Sequence, residues 1–96
     1  MKLSAFKTSL DQDAAPDELP AVLQALWHEA KGNWDEAHRL AQSQRDQTGY
    51  WVHAHLHRVE GDNANAGYWY RRSGKSPSSA PLKSEWEDIV STLLTD

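Results

Sequence analysis

Leu23-Gln24-Ala25-Leu26-Trp27-His28-Glu29-Ala30-Lys31-Gly32-Asn33-Trp34-Asp35-Glu36-Ala37 is matched 29 positions later by Val52-His53-Ala54-His55-Leu56-His57-Arg58-Val59-Glu60-Gly61-Asp62-Asn63-Ala64-Asn65-Ala66. Ala25 falls opposite Ala54, His28 opposite His57, Gly32 opposite Gly61 and Ala37 opposite Ala66. Each copy holds apolar residues at helical spacing and then a glycine, the residue that tolerates the left-handed position past a helix end. Asn33 or Asp62 follows, a side chain able to cap the next helix. A fixed period of this size predicts stacked two-helix units rather than one irregular domain.

Working outward, the pattern predicts a single all-α domain over residues 1–96. In the first hairpin, 17–44, Asp17 serves as N-cap and Pro20 falls in the first turn. Leu19, Val22, Leu23, Leu26, Trp27 and Ala30 form one apolar stripe. Asn33 and Glu36 stand at the spacing of a capping box for the second helix. The hairpin over 48–74 sets Val52, Leu56 and Val59 inward, ends at Gly74, and is expected to use Gly67 for close contact between its helices. A linker at 75–81 rich in Ser and Pro precedes a capping helix over 82–95, with Ser84 and Glu87 at capping-box spacing. Leu3, Phe6 and Leu10 share one helical face, enough for a short docking helix or an ordered arm. Turns of about two residues predict antiparallel hairpins, and the terminal helix is expected to cover the open end of the second.

The chain is rich in tryptophan, with five Trp and three Tyr against one Phe and one Met. Rings of this size supply much of a small helical core, and Trp27, Trp34, Trp69 and Trp86 are expected to be largely buried. The net charge of −4 argues against binding to DNA or to an anionic membrane. The absence of Cys excludes disulfides, thiolate zinc sites and cysteine nucleophiles. Residues 1–7 lack the apolar core of a signal peptide, and no run approaches the ~20 apolar residues of a spanning helix. A cytoplasmic protein is the expectation.

Gly32-Asn33-Trp34-Asp35-Glu36-Ala37 resembles the turn and second-helix start of a tetratricopeptide repeat, and Gly61 to Ala66 followed by Tyr68-Trp69-Tyr70 is similar to a second copy. The stretch from Trp51 to Arg72 also resembles small bacterial proteins without an assigned activity. The tetratricopeptide resemblance implies a protein- or peptide-binding module, or one that self-associates. It also implies that the first helix of each unit lines a concave groove. Leu26, Glu29, Trp51, His55 and Arg58 are the groove residues on that reading, with Trp51 expected either there or beneath the terminal helix.

Tyr68-Trp69-Tyr70-Arg71-Arg72 interleaves aromatic and basic side chains. Tyr68 and Arg72 share a helix face suited to a carboxylate-bearing peptide rather than to nucleic acid. Histidine supplies the alternative function. His53 and His57 stand i, i+4 on one face, a spacing that lets two imidazoles reach one Zn²⁺ or another divalent transition metal. The third ligand is expected from His28, which matches His57 in the repeat, with Glu29 and His38 as further candidates. The same histidines also read as packed side chains with local hydrogen bonds. No nucleophile elbow, phosphate loop or fixed carboxylate pair is present, so no catalytic residue, no enzymatic activity and no obligatory cofactor is expected.

Overall fold

The computed structural model describes residues 1–94, and all regular structure among them is helical: α1 Leu3–Ser9, α2 Ala21–Ala30, α3 Trp34–Ser43, α4 Gln47–Val59, α5 Asn63–Ser73 and α6 Leu82–Leu94. Residue 95, expected in the capping helix, lies outside the described residues. None of these helices is long and apolar enough to cross a membrane.

The two repeated turns fold alike. After α2, Gly32 takes φ +83° and donates to the Glu29 carbonyl, while Asn33 donates to that of His28. After α4, Gly61 takes φ +85° and donates to Arg58, while Asp62 donates to His57. This paired closure satisfies carbonyls that the helix end leaves unbonded. The side chains of Asn33 and Asp62 then accept from the amides of Glu36 and Asn65, at 3.3 and 3.1 Å, opening α3 and α5. Glu36 does not complete a capping box; its carboxylate turns to Arg39 instead. α4 is opened by Asp46, whose carboxylate accepts from Gly49 at 2.9 Å. Gly49 packs so tightly that an added Cβ would lie 1.8 Å from the Gln44 carbonyl oxygen.

Other boundaries differ from expectation for local reasons. α2 begins at Ala21 with extended Pro20 in the capping position, so Asp17 caps nothing. Ser84 lies inside α6, and Glu87 pairs with Lys7 rather than closing a capping box. Gly67 makes no close helix contact, since a Cβ there would meet only the Arg71 guanidinium at 3.7 Å.

α2 packs chiefly on α3 and α4 on α5, with α3 against α4 joining the pairs. α6 lies against α4, α2 and α1 rather than closing the second unit alone. It meets α1 through Phe6, which is fully buried with its ring 5.7 Å from that of Trp86. The main core gathers Leu23, Leu26, Trp27, Val52, Leu56, Ile89 and Val90, and a smaller one joins Ala54, Ala66 and Tyr70. Trp27 and Trp86 are buried as expected, their indole N–H groups donating to Ser9 Oγ and the Leu26 carbonyl. Trp34 and Trp69 are only half-buried, packing at the rims of the two cores with a histidine ring stacked on each.

Candidate functional site

α4 runs Gln47–Val59 through the middle of the molecule, touching α2, α3, α5 and α6, so successive side chains enter different surroundings. His53, His55 and His57 are all buried. A helix turns about 100° per residue, so His53 and His57 emerge together while His55 points to another side.

His55 points into a knot of charge. It is fully buried, its Nδ1 lies 2.7 Å from Glu85 and its Nε2 2.9 Å from Glu29. Glu85 also accepts from Arg58 at 2.7 Å and from the Tyr70 hydroxyl, and Arg58 donates further to the Ala80 carbonyl at 2.6 Å. Burial alone would drive the His55 pKa down, but the two carboxylates outweigh it and hold the pKa above the usual histidine value. Burial likewise would raise Glu85; His55, Tyr70 and Arg58 hold it below the usual carboxylate range. The knot joins α2, α4, α5 and α6, and every buried polar side-chain atom among the described residues has a partner.

Turned toward α3, His53 and His57 meet His38. His38 Nε2 and His53 Nε2 lie 2.9 Å apart, and one ring nitrogen from each of the three falls within 4.8 Å of the others. The rings are clamped by indoles: His38 stacks on Trp34 at 4.7 Å and His53 on Trp69 at 4.0 Å. Glu60 lies 2.6 Å from His57 Nδ1, and the Asn65 amide 3.4 Å from its Nε2. Burial, with His38 and His57 as neighbouring bases, lowers the His53 pKa to about 4; burial and His57 also lower that of His38.

Beside this trio opens a cleft of about 430 Å³ lined by Gln42, Gln44, Arg45, Tyr50, His53, Trp69 and Arg72. The Arg72 guanidinium lies over the Tyr50 ring at 4.4 Å and the Trp69 ring at 4.9 Å, with the Tyr68 ring at 5.7 Å. It also donates to the Tyr50 hydroxyl at 3.3 Å. Among the described residues no carboxylate pairs with Arg72 or Arg45, in a protein of net charge −4.

These positions correct the expected groove. Leu26 and His55 are fully buried, because α6 covers the face of α2 and α4 that the resemblance left open. Glu29 and Arg58 are half-buried and engaged in the knot. Trp51 is half-buried with the Lys75 ammonium over its ring at 4.4 Å. Tyr68 and Arg72 stay exposed, and the structure brings them together. His28 packs edge-on to Trp27 at 5.1 Å and is not in the histidine cluster; His38 takes the place expected for it. The signal for His38 was its spacing four residues after Trp34, one turn along α3 on the side facing α4. Arg45 and Tyr50 went unread because they flank the polar break between the repeats. No protein-family model, no curated protein and no solved structure matches the chain.

Proposed function

We propose that the protein is a small, cytoplasmic helical-repeat module of tetratricopeptide-like build that binds a carboxylate-bearing peptide in the Arg45–Arg72 cleft. The observation that carries this reading is Arg72: a guanidinium stacked on Tyr50 and Trp69 yet lacking a carboxylate. Stacking fixes the plane of the side chain before any ligand arrives, which lowers the entropy lost on binding. A planar fork of N–H donors matches a carboxylate bidentately. Arg45 adds a second charge at the same cleft, and the side chains of Gln42 and Gln44 line its wall. Arginine, tryptophan and tyrosine are also the residue types that carry most binding energy at interfaces.

The test uses fluorescence anisotropy with short labelled peptides presented as C-terminal acid and as C-terminal amide. The acid is expected to bind at least tenfold more tightly, a difference of about 1.4 kcal/mol. Arg72→Gln is expected to erase that preference, while Arg71→Gln, an exposed neighbour outside the cleft, leaves it intact. Equal binding of acid and amide, or undiminished binding by Arg72→Gln, would overturn the reading. Sedimentation of the free protein shows whether the ligand is a second copy of the chain.

A further inference from the structure

We propose that His38, His53 and His57 form a binding site for a divalent transition-metal ion, reached from the cleft that His53 lines. The site stands on the histidine geometry and not on the peptide reading.

Distance is the first argument. Zn²⁺ holds imidazole nitrogens at about 2.0–2.1 Å, so two ligands in a tetrahedral site stand about 3.3 Å apart. The His38–His53 pair, at 2.9 Å, is a few tenths of an ångström inside that spacing. With all three nitrogens within 4.8 Å of one another, the third ligand has at most about 1.5 Å to close. His57, whose ring is not stacked on an indole, is the ligand with room to close that distance.

The surroundings of His57 are a second argument. His57 Nδ1 lies 2.6 Å from Glu60, a carboxylate placed to accept its N–H; Nε2 is then the nitrogen left to ligate, with the Asn65 amide, 3.4 Å away, giving way to the ion. A ligating histidine that gives its other N–H to a carboxylate is the usual outer arrangement of a metal site, since it fixes tautomer and ring orientation. Trp34 and Trp69 hold the planes of the other two rings.

Donor chemistry narrows the ion. Three imidazoles without a thiolate suit Zn²⁺, Cu²⁺, Ni²⁺ or Co²⁺ and offer little to Mg²⁺ or Ca²⁺, which prefer oxygen. Three protein ligands leave a fourth position for water or an exogenous group. The other acidic grouping at this end, His57 with Glu60 and Asp62, shares His57 with the trio, and Asp62 is committed to capping α5.

The experiment uses untagged, chelator-stripped protein titrated calorimetrically with Zn²⁺ alone, and with Co²⁺ for its visible absorption. One equivalent is expected to bind, and long-range ¹H–¹⁵N spectra of the wild type should move the ring nitrogens of His38, His53 and His57 while leaving His28 and His55 in place. His38 is only half-buried, so His38→Ala is expected to fold and to bind at least tenfold more weakly; His28→Ala binds as the wild type does. Substoichiometric uptake, ring shifts confined to other histidines, or unchanged affinity in a folded His38→Ala would each overturn the site. Loss of peptide binding in Arg72→Gln with Zn²⁺ uptake intact, or the reverse, separates the two proposals.

Discussion

His53 and His55 stand two residues apart on one helix and end in opposite electrostatic settings. His55 enters a carboxylate-rich knot that favours its protonated form; His53 enters a carboxylate-poor cluster of bases that favours its neutral form. Both are buried, so burial is common to the two and does not decide between them. Neighbouring charge decides. In the knot, two glutamates and an arginine converge from α2, α4 and α6; in the trio the nearest ionisable side chains to His53 are two further histidines. One region pairs its polar groups with opposite charge, and the other pairs neutral ring nitrogens chiefly with one another.

The sharpest way to break that contrast is to remove one partner from each region. Glu85→Ala leaves the partly buried Arg58 cation without its carboxylate and the buried His55 and Tyr70 without a shared acceptor, a loss of roughly 3–5 kcal/mol. A small domain has only about 5–15 kcal/mol of stability in all, so this variant should be largely unfolded at modest urea. His38→Ala removes a neutral imidazole from a half-buried position and should cost about 1 kcal/mol or less. Urea midpoints of the two variants measure the difference; equal losses would mean that the knot is no more structural than the trio.

Dependence on pH separates the regions with opposite signs. The pKa of His53 is lowered in the fold to about 4, so the unfolded chain takes up the proton first as pH falls. Its contribution is whole above about 6.5, the unfolded value, and is lost progressively toward pH 4. His38 acts in the same direction. The pKa of His55 is raised, so its contribution is complete below about 6.5 and disappears as pH rises through the folded value. Glu85, lowered in the fold, contributes above its ordinary value and is lost in acid. Unfolding midpoints of metal-free protein from pH 4.5 to 9 should show both limbs. His53→Phe, which can keep the stack on Trp69, is expected to flatten the limb between pH 6.5 and 4 without touching the alkaline one. A flattened alkaline limb in His53→Phe would show that the two histidines do not titrate separately.

The helices were legible because local chemistry writes them directly: Gly32 and Gly61 end α2 and α4, and Asn33 and Asp62 begin α3 and α5. Spacing also paired His53 with His57, since i, i+4 neighbours share a face in any α-helix. The long-range partners were not written that way. Nothing near Glu85 in the chain tells that it meets His55, Arg58 and Tyr70, because α6 arrives after a linker whose path local propensity does not specify. The groove read into Leu26 and His55 failed for the same reason: a helix late in the sequence covers it. Periodicity favoured His28, which matches His57 in the repeat, over His38, and only the packing of α3 against α4 chooses His38.

The smallest expected effect tests whether the contrast between the regions lies in side chains alone. Gly32 follows Glu29 at the edge of the knot, and Gly61 follows His57 and Glu60 at the edge of the trio. Their φ values are +83° and +85°, and an added Cβ at either would meet nothing within 4 Å. Neither substitution therefore brings a clash, and the cost of alanine is the left-handed backbone conformation itself, about 1–2 kcal/mol. Gly32→Ala and Gly61→Ala should lower the urea free energy by amounts that agree within about 0.5 kcal/mol, near the scatter expected of such measurements. Agreement would show that the repeat supplies the same backbone scaffold twice and that the side chains on it set the two fates. A Gly61→Ala cost well above that of Gly32→Ala would place strain in the turn beside the trio, and the histidine geometry would then rest on backbone held there under load.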